Sequence, residues 1–506
     1  MSSNAVQMNK QHRNDDKCIH GGSIEAFYSD TVVLVTGATG FIGKALVEKL
    51  LRSCSRLLAI FILIRPKKGN TVDQRLKQLL ESSVFDKLRK ENPSAFDKIH
   101  AIKSDLTMPD LGLSPEDKEM LIQRVNIVFH GAATIRFDEP LKVAVALNMQ
   151  GTDRIIDLCC NMKNLISFAF VSTAYSNTNQ KEVKEAVYAS RLKPSMVMDI
   201  CDSLDDKTIN MLEKNLLGKH PNTYTFTKNL AEQLILTKAA HLPVAIIRPS
   251  IVGAARKEPY PGWVDNAVGL TGCMLNIIKG TLKVAVAFHE KYLDLVPVDY
   301  VIDTLICAAW YTTMQPRNCV KVYNCTAKYP LNWGQFFSLT VKHAIQNPTK
   351  RVVRYPSINY LRSIIPFYVF MYFFEYLPAI VADAFLSIKG KTPKMLKAVK
   401  RLSRVIHYGS YFSCRDWEFQ QKNMEELTDK VKALKDSDNF DTNMSHHNWD
   451  TFVRDFVLGI RKYLLNDDPE IDNKLQSRLS ILYFLHRFTQ VSSIIVLLIM
   501  ILRFSH

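Results

Sequence analysis

The sequence predicts a doubly wound α/β unit built on a parallel sheet, followed by an α-helical C-terminal domain and a terminal transmembrane helix. Three observations carry this expectation. From residue 31 to about 330, apolar strand-like runs alternate with helical patterns, as a sheet covered by helices on both faces requires. After Tyr329 the alternation stops and helical patterns such as WDTFVRDFVLGIRKYLL take over. The chain ends in LSILYFLHRFTQVSSIIVLLIMILRFSH, almost uninterrupted aliphatic sequence from Val491 to Leu502, which is long enough to span if Arg487 reaches toward the headgroups.

Residues 1–28 are polar and charged, without an apolar run and small-residue cleavage site; they are expected to form a flexible, cytosolic start. Strands are expected at TVVLVTG, LLAIFILIR, HAIKSD, VNIVFHG, ISFAFVST and VAIIRPS. Helices are expected from about Gly43 to Leu51, at LKVAVALNMQGTDRIIDLC and at YTFTKNLAEQLILTKAA. This Rossmann-type unit is assigned to 29–330, the helical domain to 331–478 and the anchor to 479–503. Within the helical domain, 364–386 has the length of a span, but Pro366, Pro378, Glu375 and Asp383 interrupt it. A re-entrant or interface-lying hairpin, or a buried helix, is expected there ahead of a clean crossing.

Lys and Arg number 65 against 49 Asp and Glu, a net charge of +16 that suits anionic partners such as phosphorylated cofactors and acidic membranes. No nucleic-acid-binding motif accompanies the charge, so nucleic acid is not an expected partner. The ten cysteines show no C-x-x-C spacing and read as reduced, mostly core thiols, with neither a metal site nor a disulfide framework. His446 and His447 read as surface residues.

The chemistry concentrates at strand ends. TGATGFIGKALVEKL places Gly37, Gly40 and Gly43 at G-x-x-G-x-x-G spacing between a strand and a helix, where the backbone can approach a pyrophosphate favoured by the helix N-terminus. Thr36, Thr39, Phe41 and Ile42 flank those glycines as further cofactor contacts. The second strand ends in RPKKG rather than in an acidic residue, so Arg65, with Lys67 and Lys68 beside it, favours the 2′-phosphate of NADP(H). Asp105 and Leu106 end the third strand, the aspartate placed to meet the adenine, and Ala132 in FHGAAT lines the cleft. Ser172 and Thr173 end the fifth strand, and Tyr224 and Lys228 follow as Y-x-x-x-K, one turn apart on one helical face. A nearby cation is expected to lower the phenol's pKa for proton exchange with a carbonyl oxygen, which a hydroxyl from Thr173 or Ser172 would hold. The long insert between Thr173 and Tyr224 is charged and amphipathic, and reads as a substrate lid.

These residues resemble the extended short-chain dehydrogenase/reductases. More narrowly, TGATGFIGKALVEKLL, NIVFHGAATIRFDEPL, VSTAYSN, YTFTKNLAEQL, IIRPSIV, EPYPGWVDN and DLVPVDYVID resemble the fatty acyl-CoA reductases, as does NWDTFVRDFVLGIRKYLL in the terminal domain. The resemblance implies NADPH-dependent reduction of a long-chain fatty acyl-CoA to a fatty alcohol through an enzyme-bound aldehyde. It implies that the three glycines hold the pyrophosphate, Arg65 the 2′-phosphate, Tyr224 and Lys228 the catalysis, and Thr173 or Ser172 the oxyanion. Asn148 resembles the asparagine that supports the lysine through water in related enzymes; a helix-surface amide is the other reading. KSDL stands where Gly-Asp-Leu is common, leaving Asp105 in place. The expected partners are the acyl-CoA and membrane lipid, with a homo-oligomer left open. The expected location is a membrane, endoplasmic reticulum or peroxisome, with the catalytic domain facing the cytosol. Two rivals stand beside this reading: a membrane-bound reductase of sterols or another lipid carbonyl, and a non-enzymatic NADPH sensor. The terminal domain argues against the first, and the intact Tyr224 and Lys228 against the second.

Overall fold

The computed structural model describes residues 22–67, 69–316, 318–445, 448–467 and 473–504. The readings made for residues 1–21, Lys68, His446 and His447 lie outside them. Two compact units interleave along the chain. The first comprises residues 1–252, 295–329 and 417–446, the second 253–294, 330–416 and 447–506. The boundary expected at 330 is therefore one of several crossings, and the helical domain assigned to 331–478 lends residues 417–446 to the first unit.

A seven-stranded parallel sheet forms the centre of the first unit. Its strands are β1 (Val32–Thr36), β2 (Ala59–Ile64), β3 (Ile99–Lys103), β4 (Ile127–His130), β5 (Ser167–Val171), β6 (Val244–Pro249) and β7 (Lys321–Cys325). In space they run β7-β6-β5-β4-β1-β2-β3, so the direction of winding reverses between β1 and β4. In an open α/β sheet that reversal opens a crevice at the carboxyl ends of the strands, which is where ligands bind. Burial on both faces explains why β1, β2, β4, β5 and β6 read as nearly continuous apolar runs. The edge strand β7, KVYNC, alternates polar and apolar residues, and no apolar run announced it.

Helix α1 (Phe41–Ser53) follows β1 and begins at Gly40. Helix α2 (Val72–Leu80) follows β2 and starts with a reciprocal capping box between Thr71 and Gln74. The insert expected as a lid instead forms two helices, α3 (Pro194–Ser203) and α4 (Asp206–Leu217), whose Val197, Cys201 and Ile209 are buried in the main core. The flexible start expected through residue 28 ends sooner. Ile24–Tyr28 is helical, both its end residues are buried, and the Tyr28 hydroxyl donates to Ile306 O at 2.9 Å. None of the nine described cysteines forms a disulfide, and five of them are buried.

Helix α5 (Thr223–Lys238) is clamped to the sheet by a buried ion pair. Its Glu232 meets Arg248 of β6 at 2.6 Å, both side chains being wholly buried. Arg248 also donates to Lys184 O and Ala186 O, while Ser172 and Ser176 donate to Glu232. Each charge is thus surrounded by partners, the condition under which a buried pair is tolerated.

In the second unit, glycines permit close backbone crossings. A Cβ on Gly459 would lie 1.7 Å from Gly262 O, and one on Gly280, whose φ is +70°, 1.9 Å from Arg354 O. Residues 364–388 form one helix, through Pro378 and a π-helical turn at Tyr372–Tyr376. The interruptions expected there do not break it. Helix α6 (Met395–Ser413) packs against it, and α7 (Asn473–Phe504) ends the chain. Leu475 and Leu479 of α7 pack on Val352, whereas Ile481, Phe484 and Phe488 are exposed. Much of the anchor assigned to 479–503 falls on side chains outside the described ones.

Removing one member of the buried pair leaves the other charge without its counter-ion. Glu232→Ala is expected to lower unfolding stability by about 3–5 kcal/mol in a denaturant titration. A loss under about 1 kcal/mol would show that water reaches Arg248 and that the pair is not a clamp.

Candidate active site

The glycine turn sits where β1 meets α1, and its geometry explains two of the three glycines directly. Gly37 has φ +78°, and a Cβ there would fall 2.8 Å from Ala132 N. A Cβ on Gly43 would fall 2.2 Å from Gly37 O. Gly40 is different: the only atom within 4 Å of its missing Cβ is Gly37 O at 3.2 Å. That side of the turn is open at the N-terminus of α1, the arrangement a pyrophosphate needs. Phe41 and Ile42, half-buried, continue the helix from there. Thr36 holds the adjoining strand ends together. Its hydroxyl bonds His130 Nδ1 at 2.7 Å and accepts from Ala132 N at 3.2 Å. The other ring nitrogen of His130 meets Thr152 at 3.0 Å, and burial, with the Lys228 charge, pushes the imidazole down to about 3. His130 is therefore a neutral strut between β1, β4 and the following helix.

Arg65 is exposed at the end of β2, free to meet an anion. Sequence reasoning missed its companion. Arg75, on α2, donates to Arg65 O and, at 3.3 Å, to the Thr39 hydroxyl in the glycine turn. Burial, and then the Arg65 charge, hold the Arg75 guanidinium below its ordinary value. Two cations thus share one place beside the turn, with no carboxylate at the end of β2 to oppose an anion. Arg75 follows from which face α2 lays on the sheet, and no spacing rule announces it. At the end of β3, Asp105 accepts from Thr107 N at 3.0 Å and from the Thr107 hydroxyl at 2.8 Å, so one of its oxygens is spent shaping its own loop. The neighbouring Leu106 is half-buried, and its carbonyl accepts from Arg154.

Tyr224 and Lys228 lie on α5, whose N-terminus Asn222 caps. Thr173 stands beside the Tyr224 phenol and draws its pKa down, and its hydroxyl accepts from Tyr175 N at 3.2 Å. Ser172, one residue back, points to the other side of the strand end, into the Glu232 pair. The structure thus separates two hydroxyls that period-two alternation alone left exchangeable. Lys228 is buried, with Nζ donating to Val171 O at 2.6 Å and lying 4.6 Å from the centre of the Phe170 ring. Burial pushes this lysine down to about 7, against the attraction of Glu232. The expectation that a cation lowers the phenol's pKa is not met. Burial pushes Tyr224 up to about 12, and the nearby Thr173 is what opposes it.

Asn148 sits in a π-helical turn, Ala146–Gln150, and is buried, so it is not a surface amide. Its oxygen accepts from Thr134 N at 2.9 Å, and its nitrogen donates to Thr134 O at 3.1 Å and to the Thr227 hydroxyl at 3.0 Å. It ties the loop after β4 to the helix of Tyr224, adjacent to Lys228 in sequence.

A parallel sheet with a glycine turn at its winding reversal, and Tyr, Lys and Thr gathered at a neighbouring strand end, defines an oxidoreductase of the extended short-chain dehydrogenase/reductase type that takes a nicotinamide cofactor. Comparison with known proteins narrows this. Residues 35–305 match an NAD-binding family model described as male sterility protein, and residues 374–467 match a second model of the same description. Fatty acyl-CoA reductase 1 of Mus musculus is 39% identical over 449 residues, covering 88% of this chain and 87% of that protein. Fatty acyl-CoA reductase 2 of Bos taurus is 37% identical over 466 residues, covering 91% and 90%. The chain belongs to the fatty acyl-CoA reductase family. Among solved structures, the terminal R domain of the myxalamid biosynthetic pathway shares the fold with a TM-score of 0.59 and 20% identity, over 87% of this chain and 93% of that one. A nonribosomal peptide synthetase reductase domain from Mycobacterium tuberculosis does so at 0.58 and 17%, over 89% and 96%.

The opposite directions of Ser172 and Thr173 give opposite expectations. Ser172→Ala should lower stability by about 1–3 kcal/mol, with little change in turnover of the folded protein. Thr173→Val gives up only the local bond from Tyr175 N, so it should lower stability by no more than about 1 kcal/mol while reducing turnover about 100-fold. The reverse pattern would exchange their roles.

Proposed function

We propose that this protein reduces long-chain fatty acyl-CoA to fatty alcohol with NADPH, through an aldehyde that stays on the enzyme. The observation that carries the reading is Tyr224 with Thr173 beside its phenol, one helical turn from buried Lys228, in a chain similar over most of its length to named fatty acyl-CoA reductases.

Bound NADPH supplies hydride to the carbonyl carbon. The residues supply everything else. Thr173 and Tyr224 hold the carbonyl oxygen between two hydroxyl donors, where negative charge develops as the hydride arrives. A phenol pushed up to about 12 stays protonated at neutral pH, which suits a donor. In the first reduction the thioester carbon gains hydride, the C–S bond breaks and CoA leaves as its thiolate, which takes its proton from solvent, giving the aldehyde. In the second the aldehyde carbon gains hydride and its oxygen takes the proton of Tyr224, giving the alcohol; two NADPH are consumed. Lys228, at about 7, sits near its own midpoint and can take part in returning a proton to the phenol. Asn148 positions the Lys228 helix by fixing Thr227 to the Thr134 loop. The glycine turn would hold the pyrophosphate, and Arg65 with Arg75 the 2′-phosphate. We place the protein on the endoplasmic reticulum or peroxisome membrane, anchored by α7 with the catalytic unit in the cytosol, where an apolar substrate and product already reside.

Incubating membranes that contain the protein with NADPH and long-chain acyl-CoA should yield the alcohol by mass spectrometry, and Tyr224→Phe should cut that yield at least about 100-fold. Undiminished alcohol from the variant would remove Tyr224 from the reaction. Cofactor choice is tested by titrating NADPH and NADH against intrinsic fluorescence. Arg65→Glu and Arg75→Glu are each expected to lower the NADPH/NADH affinity ratio about tenfold or more; an unmoved ratio in both would show that neither residue reads the phosphate.

A further inference from the structure

The 364–388 helix has one face committed and one face bare. Phe367, Met371, Glu375 and Ala379 are buried, four residues apart. In a straight α-helix such a row drifts by about 40° per step. The π-helical turn at Tyr372–Tyr376 takes up the extra residue and keeps the row on one side. Both carboxylates that argue against lipid are turned away from it. Glu375 is paired with Arg354 at 2.8 Å, and Arg354 also donates to Gly280 O and Thr281 O. Asp383 accepts from the backbone nitrogens of Lys394, Met395 and Leu396, capping the start of α6. The opposite side carries Ile365, Val369, Tyr372, Phe373, Val381 and Ile388, all exposed, with Ile365 at 72% and Ile388 at 81%.

Beside this face stands a strong positive charge. Between residues 389 and 404 there are seven Lys and Arg and no Asp or Glu. Leu396, Val399 and Leu402 of α6 are half-buried and Ile406 is buried, while Lys397, Lys400 and Arg401 are exposed. An apolar strip flanked by cations matches an anionic phospholipid surface, whose acyl boundary takes the strip and whose headgroups take the charges. A crossing would surround the helix with lipid, yet its inner side meets Arg354 and polar backbone.

We propose that the 364–388 helix lies in the plane of an anionic bilayer leaflet as a second membrane contact, separate from α7 and independent of the reaction assigned above. The test uses the full-length chain in vesicles of phosphatidylcholine with or without phosphatidylserine. A fluorescent side chain replaces Ile365, Phe373, Val381 or Ile388 singly, and its depth is read from quenching by lipids brominated at set acyl positions. All four positions should report the same shallow depth. Ile365 and Ile388 in opposite leaflets would mean a crossing, and four unquenched probes would mean no bilayer contact; either result overturns the proposal. The triple variant Lys397→Glu, Lys400→Glu, Arg401→Glu should reduce quenching at Phe373 about tenfold on phosphatidylserine vesicles. Unchanged quenching there would overturn the part assigned to the headgroups.

Discussion

The buried contact between Glu232 and Arg248 is the interaction on which the active-site geometry depends. It joins α5 to β6 with both charges wholly enclosed, and through Ser172 it fixes which way the end of β5 turns. Ser172 is drawn inward to Glu232, and Lys228, one turn before Glu232 on the same helix, meets Val171 O. The carbonyls of Lys184 and Ala186 are bound to the same arginine, so the start of the insert is fixed to this point as well. A hydrophobic pair of equal volume could serve packing as well or better. It would not order the serines or the insert, so the charged pair's worth here lies in orientation.

What could be read from the sequence is what depends on neighbours along the chain. Five of the seven strands appear as apolar runs because burial on both faces demands it. The glycine turn is legible because Gly37 and Gly43 each remove a Cβ that would strike backbone close by in sequence or at the next strand end. Tyr224 and Lys228 are legible because four residues make roughly one helical turn. What stayed hidden depends on distant partners. Arg75 matters because α2 lays it against Thr39, and Glu232 because β6 brings Arg248 beneath it. The return of residues 417–446 to the first unit rests on contacts such as buried Lys49 with Asn439 O, and Asp441 N with Asp303 at 2.8 Å, far apart in sequence. Strand β7 escaped because its buried Asn324 breaks the apolar run, its amide being satisfied by Val183 O and Gln420 O from distant segments.

The fate of the apolar 364–388 segment shows why composition alone misjudges membrane contact. Two prolines and two carboxylates in a row of hydrophobic residues argue against lipid if the helix is treated as uniform around its axis. Resolved by face, the argument reverses. The carboxylates belong to the protein side, where one meets Arg354 and the other caps α6, and Pro378 follows a π-helical turn, where the hydrogen-bond ladder is already interrupted. What remains outward is apolar over 25 residues, about 37 Å of helix.

That length bears on how such an enzyme would handle its substrate. An acyl chain leaving a bilayer loses about 0.8 kcal/mol for each CH₂ it exposes to water, so a long chain is costly to bring to a site out in the cytosol. A terminal anchor alone tethers the protein but leaves its orientation free, whereas a helix lying along the surface fixes which side faces the lipid. On the proposed reading, α7 would hold the enzyme at the membrane and the 364–388 helix would add a second contact there, which shortens the aqueous path of a long acyl group. The cations of α6 add a second consequence, since the phosphates of CoA, like lipid headgroups, are drawn to the same positive surface.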